Sequence, residues 1–163
     1  MAPPTKPEWE ISPLEGVAAG GVTVRFTGAT TLLFDDGETS WMTDGWFSRP
    51  TFIEIITQRV APDLAAIGRG LKANEVDKLD AVIPLHSHYD HAMDAPEVAR
   101  RTGATLFGSE STANIARGWG LDESRIKIFT HKKRIALGDF SITPIESHHF
   151  QFVDPDIAKT ALD

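Results

Sequence analysis

Three histidines and one carboxylate fall within six residues, His86-Ser87-His88-Tyr89-Asp90-His91. Imidazole nitrogens and a carboxylate are ligands for zinc and neighbouring transition metals. The cluster directly follows Ala81-Val82-Ile83-Pro84-Leu85, an apolar run bounded by charged residues that reads as a buried strand. His86 and His88, two apart, project to the same side of an extended chain, whereas on a helix they diverge. Asp90 and His91 come where the chain must turn, so they can approach a second ion from another direction. The ordinary alternative is a polar surface loop, and it requires half of the protein's six histidines to gather here by chance.

The strand before this cluster delivers it to a carboxyl end, where open α/β sheets tend to bind ligands. Two other places offer supporting groups. Asp44 ends a short strand, Ser40-Trp41-Met42-Thr43, and runs into Gly45-Trp46-Phe47. Arg134 to Leu137, the turn Gly138-Asp139 and Phe140 to Glu146 read as a hairpin leading into Ser147-His148-His149-Phe150. Alternation allows only one of His148 and His149 to face a site. Trp41, Trp46 and Phe47 are candidates for a pocket wall or for the core. Asp35 and Asp36 are turn residues, and His131 lies in a basic surface segment with Lys132, Lys133 and Arg134. Arg100 and Arg101 also read as solvated charges. Tyr89, the only tyrosine, points away from the direction of His88 and Asp90 in an extended reading, which gives it a structural role.

The elements that must hold these groups in place alternate between strand and helix. Val22 to Phe26 alternates in polarity, Thr30 to Phe34 is apolar, and Asp36-Gly37 marks a hairpin turn before Ser40. Thr51 to Val60 and Asp63 to Asn74 are helical in pattern, with Pro62 between them. Asp94-Ala95-Pro96 opens a helix to about Arg101, ended by Gly103. Ala104 to Phe107 reads as a strand, Ser111 to Trp119 as a helix closed by Gly120, and Ile126 to Phe129 as a strand. The fold class is therefore layered α/β.

With 163 residues, 41% of them hydrophobic and 24% charged, the chain can bury one core as an ordinary globular domain. A net charge of −7 argues against a nonspecific grip on nucleic-acid phosphates. The absence of cysteine removes disulfides, thiolate ligands and a thiol nucleophile. No apolar run of about 18 residues is present to span a membrane. Met1 to Pro7 lacks the apolar core of a signal peptide. Compartment stays open between cytoplasm and, if a leader was removed before Met1, periplasm or exterior.

The spacing His86-x-His88-x-Asp90-His91 resembles the HxHxDH signature of the metallo-β-lactamase superfamily. Gly28-Ala29-Thr30 and Thr43-Asp44-Gly45 are similar to the Gly-His-Ala-Thr and Thr-Asp-Pro segments of its phosphodiesterase- and lactonase-like branch. Ala29 stands in place of the branch histidine and Gly45 in place of its proline. The resemblance implies the first half of an αββα sandwich over residues 21–152, after a flexible lead-in at 1–20. It makes 153–163 a tail where a longer domain is cut. It further implies one or two zinc ions, with manganese or iron as substitutes. His86, His88 and a histidine after a later strand would hold the first ion. The branch pattern Ser-x-His places that ligand on His149, with His148 the alternative. Asp90 and His91 would serve the second ion, and Asp44 would orient a ligand histidine. The implied activity is hydrolysis of an ester, lactone, amide or phosphodiester in a small-molecule substrate. A metal-bound hydroxide would attack, oriented by Asp90.

Ligands that complete the second site in this superfamily have no counterpart after His149. One sheet without its partner exposes an apolar face, which points to a missing C-terminal half, to self-association, or to a short relative. The competing functions are a noncatalytic metal-binding or assembly module and a nonhydrolytic, iron-dependent branch.

Overall fold

The computed structural model describes residues 20–147. Six strands form one sheet in the order β1 (Thr23–Gly28), β2 (Thr31–Asp35), β3 (Ser40–Thr43), β4 (Ala81–Ile83), β5 (Thr105–Gly108), β6 (Ile126–Ile128). The first two pairings are antiparallel and the next three parallel. All strands except β2 therefore run the same way. The β1–β2 turn, the segment after β3 and the loop after β4 consequently emerge at one edge of the sheet.

The helices are α1 (Phe52–Thr57), α2 (Leu64–Ala73), α3 (Tyr89–Ala92), α4 (Ala95–Thr102) and α5 (Glu110–Trp119). Each of the three long ones is bounded by local chemistry. Asp63 accepts from the backbone N–H groups of Ala65 and Ala66 at the start of α2, and Ser109 accepts from Thr112 at the start of α5. Gly103 and Gly120 close α4 and α5 in the left-handed conformation.

Register explains the core. Leu33, Met42, Val82, Leu106 and Ile126 are successive partners across β2 to β6, and all five are buried. This row meets Ile67 and Leu71 of α2, Val98 and Ala99 of α4, and Ala113 and Ala116 of α5. Burial of each large member contributes about 1.5–3 kcal/mol. On the opposite face a separate hairpin, β7 (Ile135–Leu137) with β8 (Phe140–Ile142), lies over the sheet. Its Ile135, Leu137 and Ile142 share a small apolar seam with Ile83, Phe107 and Phe129. Its Phe140 meets Trp41 edge-on at 5.9 Å, and Trp41 stacks on Phe34 at 4.2 Å.

Several expectations change. The helix expected over 51–60 stops at Thr57, with Thr51 and Glu54 closing a capping box at its start. The strand into the histidines ends at Ile83, two residues short of Leu85. Arg100 and Arg101 are not simply solvated, because both bind the Glu97 carboxylate, which is only 1% exposed. Trp119 Nε1 donates to the same carboxylate at 3.0 Å. Trp46 and Phe47 divide between the two expected roles: Phe47 joins the core cluster, whereas Trp46 meets Tyr89 edge-on at 6.2 Å. His131 is exposed, and its Nδ1 accepts from the backbone N–H of Glu146.

Candidate metal centre

After β4 the chain bends through residues 85–88, which include His86 and His88, and α3 then folds the next residues back. His88 occupies the N-cap position with φ −65° and ψ 155°. Asp90 and His91 lie within the first turn that follows. This reversal, rather than simple alternation, decides which side chains meet. One ligand atom from each of His86, Asp90 and His91 lies within 4.8 Å of the others. The His86 ring centroid is 3.9 Å from that of His91 and 4.6 Å from that of His88. His88 borders the three-atom cluster without joining it. The expected division placed His86 and His88 on one ion and Asp90 and His91 on another; the cluster instead brings His86 to Asp90 and His91.

Asp44 is the support. Fully buried, it accepts from the backbone N–H of Leu85 through Oδ1 at 2.8 Å and lies 2.9 Å from His91 Nδ1 through Oδ2. Its own N–H donates to the carbonyl of Ile83, extending the β3–β4 ladder by one rung. A proton on His91 Nδ1 satisfies the carboxylate and leaves Nε2 as the lone-pair donor. Nε2 faces Asp90 Oδ2 at 3.7 Å. Thr30 Oγ1 approaches His91 Nδ1 at 3.4 Å from the β1–β2 turn.

The backbone around Asp44 accounts for one departure from the branch pattern. Asp44 and Gly45 take φ of 52° and 72°. Proline is held near φ −65° and cannot occupy the second position. Glycine supplies what the turn needs. Ala29 also lies at positive φ, 54°, at the tip of the β1–β2 turn.

A second buried carboxylate fixes the segment leading away from Asp44. Asp94 Oδ2 accepts from the N–H groups of Phe47 and Ser48 at 2.7 and 2.6 Å, and Oδ1 accepts from Ser48 Oγ at 2.6 Å. Ser48 Oγ in turn accepts from the N–H of Asp63. Burial pushes the Asp94 carboxyl above the usual range, against the pull of its bonds to Ser48 and Phe47. The sequence marked Asp94 only as a helix cap. It holds that position but makes no capping bond, having spent its oxygens on the 47–48 loop.

The donor set fits a divalent transition metal. Two imidazoles and a carboxylate are a usual three-ligand set for such an ion. His148 and His149, the candidates for a further ligand, lie outside the described residues. No helix of the described residues is long and apolar enough to cross a membrane.

A family described as "Beta-lactamase superfamily domain" matches residues 42–161. A UPF0173 metal-dependent hydrolase of Methanopyrus kandleri is 36% identical over 81 residues, which is 47% of this chain and 35% of that relative. Another from an Anaeromyxobacter species is 28% identical over 136 residues, covering 81% of this chain and 44% of the relative. The chain spans less than half the length of the curated relatives it matches. Among solved structures, metallo-β-lactamase SMB-1 complexed with mercaptoacetic acid aligns with a TM-score of 0.52 at 14% identity, covering 72% of this chain and 48% of that one. A B3 metallo-β-lactamase with an active-site glutamic acid aligns equally well, 0.52 at 22% identity, over 78% and 49%. At such identities the likeness is one of fold.

Proposed function

Because the chain belongs to the beta-lactamase superfamily domain family, we propose that it carries the metal-holding part of a metal-dependent hydrolase. The observation that supports this best is the convergence of His86, Asp90 and His91 atoms within 4.8 Å, with Asp44 behind His91. Names of the relatives agree, each being called a metal-dependent hydrolase.

In this reading His86, Asp90 and His91 hold an ion, His88 adds a fourth ligand or serves a second ion, and His149 or His148 completes the set. When bound, the ion acidifies a water molecule toward neutrality and polarises the carbonyl or phosphoryl oxygen under attack. Asp44, 2.9 Å from His91 Nδ1, favours the tautomer in which Nε2 carries the lone pair. Asp90, with 41% of its side chain exposed, has an oxygen to spare for accepting a proton from the attacking water. The Trp46–Tyr89 pair forms an aromatic flank beside the loop. Zinc is the first choice of metal, with manganese and iron compatible with the same ligands.

The test begins with metal analysis of the purified chain, followed by hydrolysis of chromogenic esters, a lactone and a phosphodiester. Between one and two ions per chain are expected, with activity lost on chelation, restored by zinc and absent in His86→Ala. Hydrolysis indifferent to both chelation and His86→Ala would sink the reading. The short span relative to the relatives favours one alternative: stoichiometric metal with no turnover identifies a noncatalytic metal-binding module. Iron as the bound metal together with no hydrolysis of any of these substrates would instead favour a nonhydrolytic branch.

A further inference from the structure

Resting on the hydrolase reading for the position of the reacting bond, we propose that Arg49 selects substrates bearing an anionic group, a carboxylate or a phosphate, beside the metal centre. Three segments meet at the sheet edge: the β1–β2 turn, the stretch after β3 and the loop after β4. Across residues 28–31, 44–49 and 84–91, Arg49 is the only Lys or Arg, in a chain of net charge −7. Its Nη2 donates to the carbonyl of Thr27 at 2.6 Å. That bond lays the guanidinium against Gly28, at the root of the turn that carries Thr30 to within 3.4 Å of His91 Nδ1. A methyl group on Gly28 would come within 2.7 Å of Arg49 Cζ, so glycine is what allows the guanidinium to lie there.

The placement is specific, and the charge is unspent. Arg49 is exposed, with a backbone φ of 44° that side chains rarely adopt. No carboxylate pairs with it among the described residues, and Thr27 uses only one of its five N–H donors. A planar fork with donors to spare matches carboxylate and phosphate alike. Had the residue served only to clamp the turn, one neutral donor would do. A guanidinium at this edge instead offers an anion its second point of attachment, the reacting bond being the first.

The full chain loaded with zinc is assayed on p-nitrophenyl acetate, mono-p-nitrophenyl succinate and the p-nitrophenyl ester of 3-phosphonopropionate, whose phosphonate stands for a phosphate set apart from the reacting carbonyl. For Arg49→Gln, the ratio of KM on a charged substrate to KM on the acetate is expected to rise about tenfold, the size of one lost charge-assisted contact. Arg49→Lys should recover part of it. Whichever charged substrate responds, succinate or phosphonate, identifies the group. An unchanged ratio on both overturns the inference, and melting curves of the two variants separate this from loss of the Thr27 clamp. If no substrate turns over, the hydrolase reading fails, and Arg49 is then judged by calorimetry of the metal-free chain with inorganic phosphate and with succinate. Binding weakened several-fold in Arg49→Gln supports the anion site; equal binding, or none to the wild-type chain, rejects it.

Discussion

One carboxylate, Asp44, satisfies both a backbone N–H and an imidazole of the loop that follows β4. Asp44→Ala leaves His91 free to turn and Leu85 without its acceptor, and supporting groups of this kind are worth roughly 10- to 100-fold in metal affinity. Competition with a chromogenic chelator should show zinc binding weakened by that order. Asp44→Asn should be milder, because asparagine also tolerates the left-handed backbone. An alanine variant that binds zinc like the wild type refutes the role. The types and spacing of 86–91 made this chemistry legible. Which histidine Asp44 would touch was not, because the turn of α3 decides it. Glu97 was hidden for a similar reason. Its spacing to Arg100 and Arg101 is visible, but its burial and its bond to Trp119 require α4 and α5 to be docked. Arg100 first, then Arg101 and Trp119, hold the Glu97 carboxyl down from 4.5 to about 2. A carboxyl held below its unfolded value stabilises fully above that value and loses the contribution as pH falls through the folded one. Urea midpoints should therefore drop between roughly pH 5 and pH 2, and drop less in Glu97→Gln. With Arg100 57% exposed, the effect is on the order of 1–2 kcal/mol after screening.

At the scale of elements, α2 carries a glycine that its helix propensity does not favour. Alanine at Gly70 would gain about 1 kcal/mol from the helix alone. A methyl group there would meet Phe47 Cγ at 2.7 Å, and Phe47 is a core residue with little room to move. Overpacking of this kind costs about 1–3 kcal/mol. Gly70→Ala should thus be neutral to destabilising; a thermal melt that rises by several degrees would show that the ring has somewhere to go. Asp94 couples α4 to the loop after Asp44. Asp94→Ala orphans the N–H groups of Phe47 and Ser48, each costing about 1–3 kcal/mol if left unpaired. Denaturant unfolding checks it, with a loss below about 1 kcal/mol counting against the latch. Helix limits were legible here to within a few residues because Asp63, Gly103 and Gly120 punctuate them, whereas Ser109, the cap of α5, lies two residues before the start read from the sequence. The helix after Thr51 was overestimated, since its Phe52, Ile53 and Ile56 mimic a buried face while lying exposed.

At the scale of the molecule, a parallel run from β3 to β6 follows from the alternation of strands and helices. The hairpin β7–β8 as a separate layer does not. Its turn residues were evident, but the partners of Ile135 and Ile142 are Ile83 and Phe107, far away in sequence. The hairpin leaves part of its face open toward the edge, where Val22, Val24 and Phe26 are each at least half exposed. A stripe of this kind on an edge strand is the sort of surface that binds apolar dyes. Phe26→Lys should lower the fluorescence of such a dye with the chain without moving its melting temperature. An unchanged signal would mean that this surface is covered in solution.

The Asp44 clamp also sets a clock. By gripping Leu85 and His91 together, it closes the intervening loop before any ion arrives. Loop-closure entropy is then paid during folding rather than at the encounter. Stopped-flow mixing with zinc should record one rapid phase whose rate rises in proportion to metal concentration. Once Asp44 is removed, loop ordering must accompany capture, and a second, concentration-independent phase should emerge.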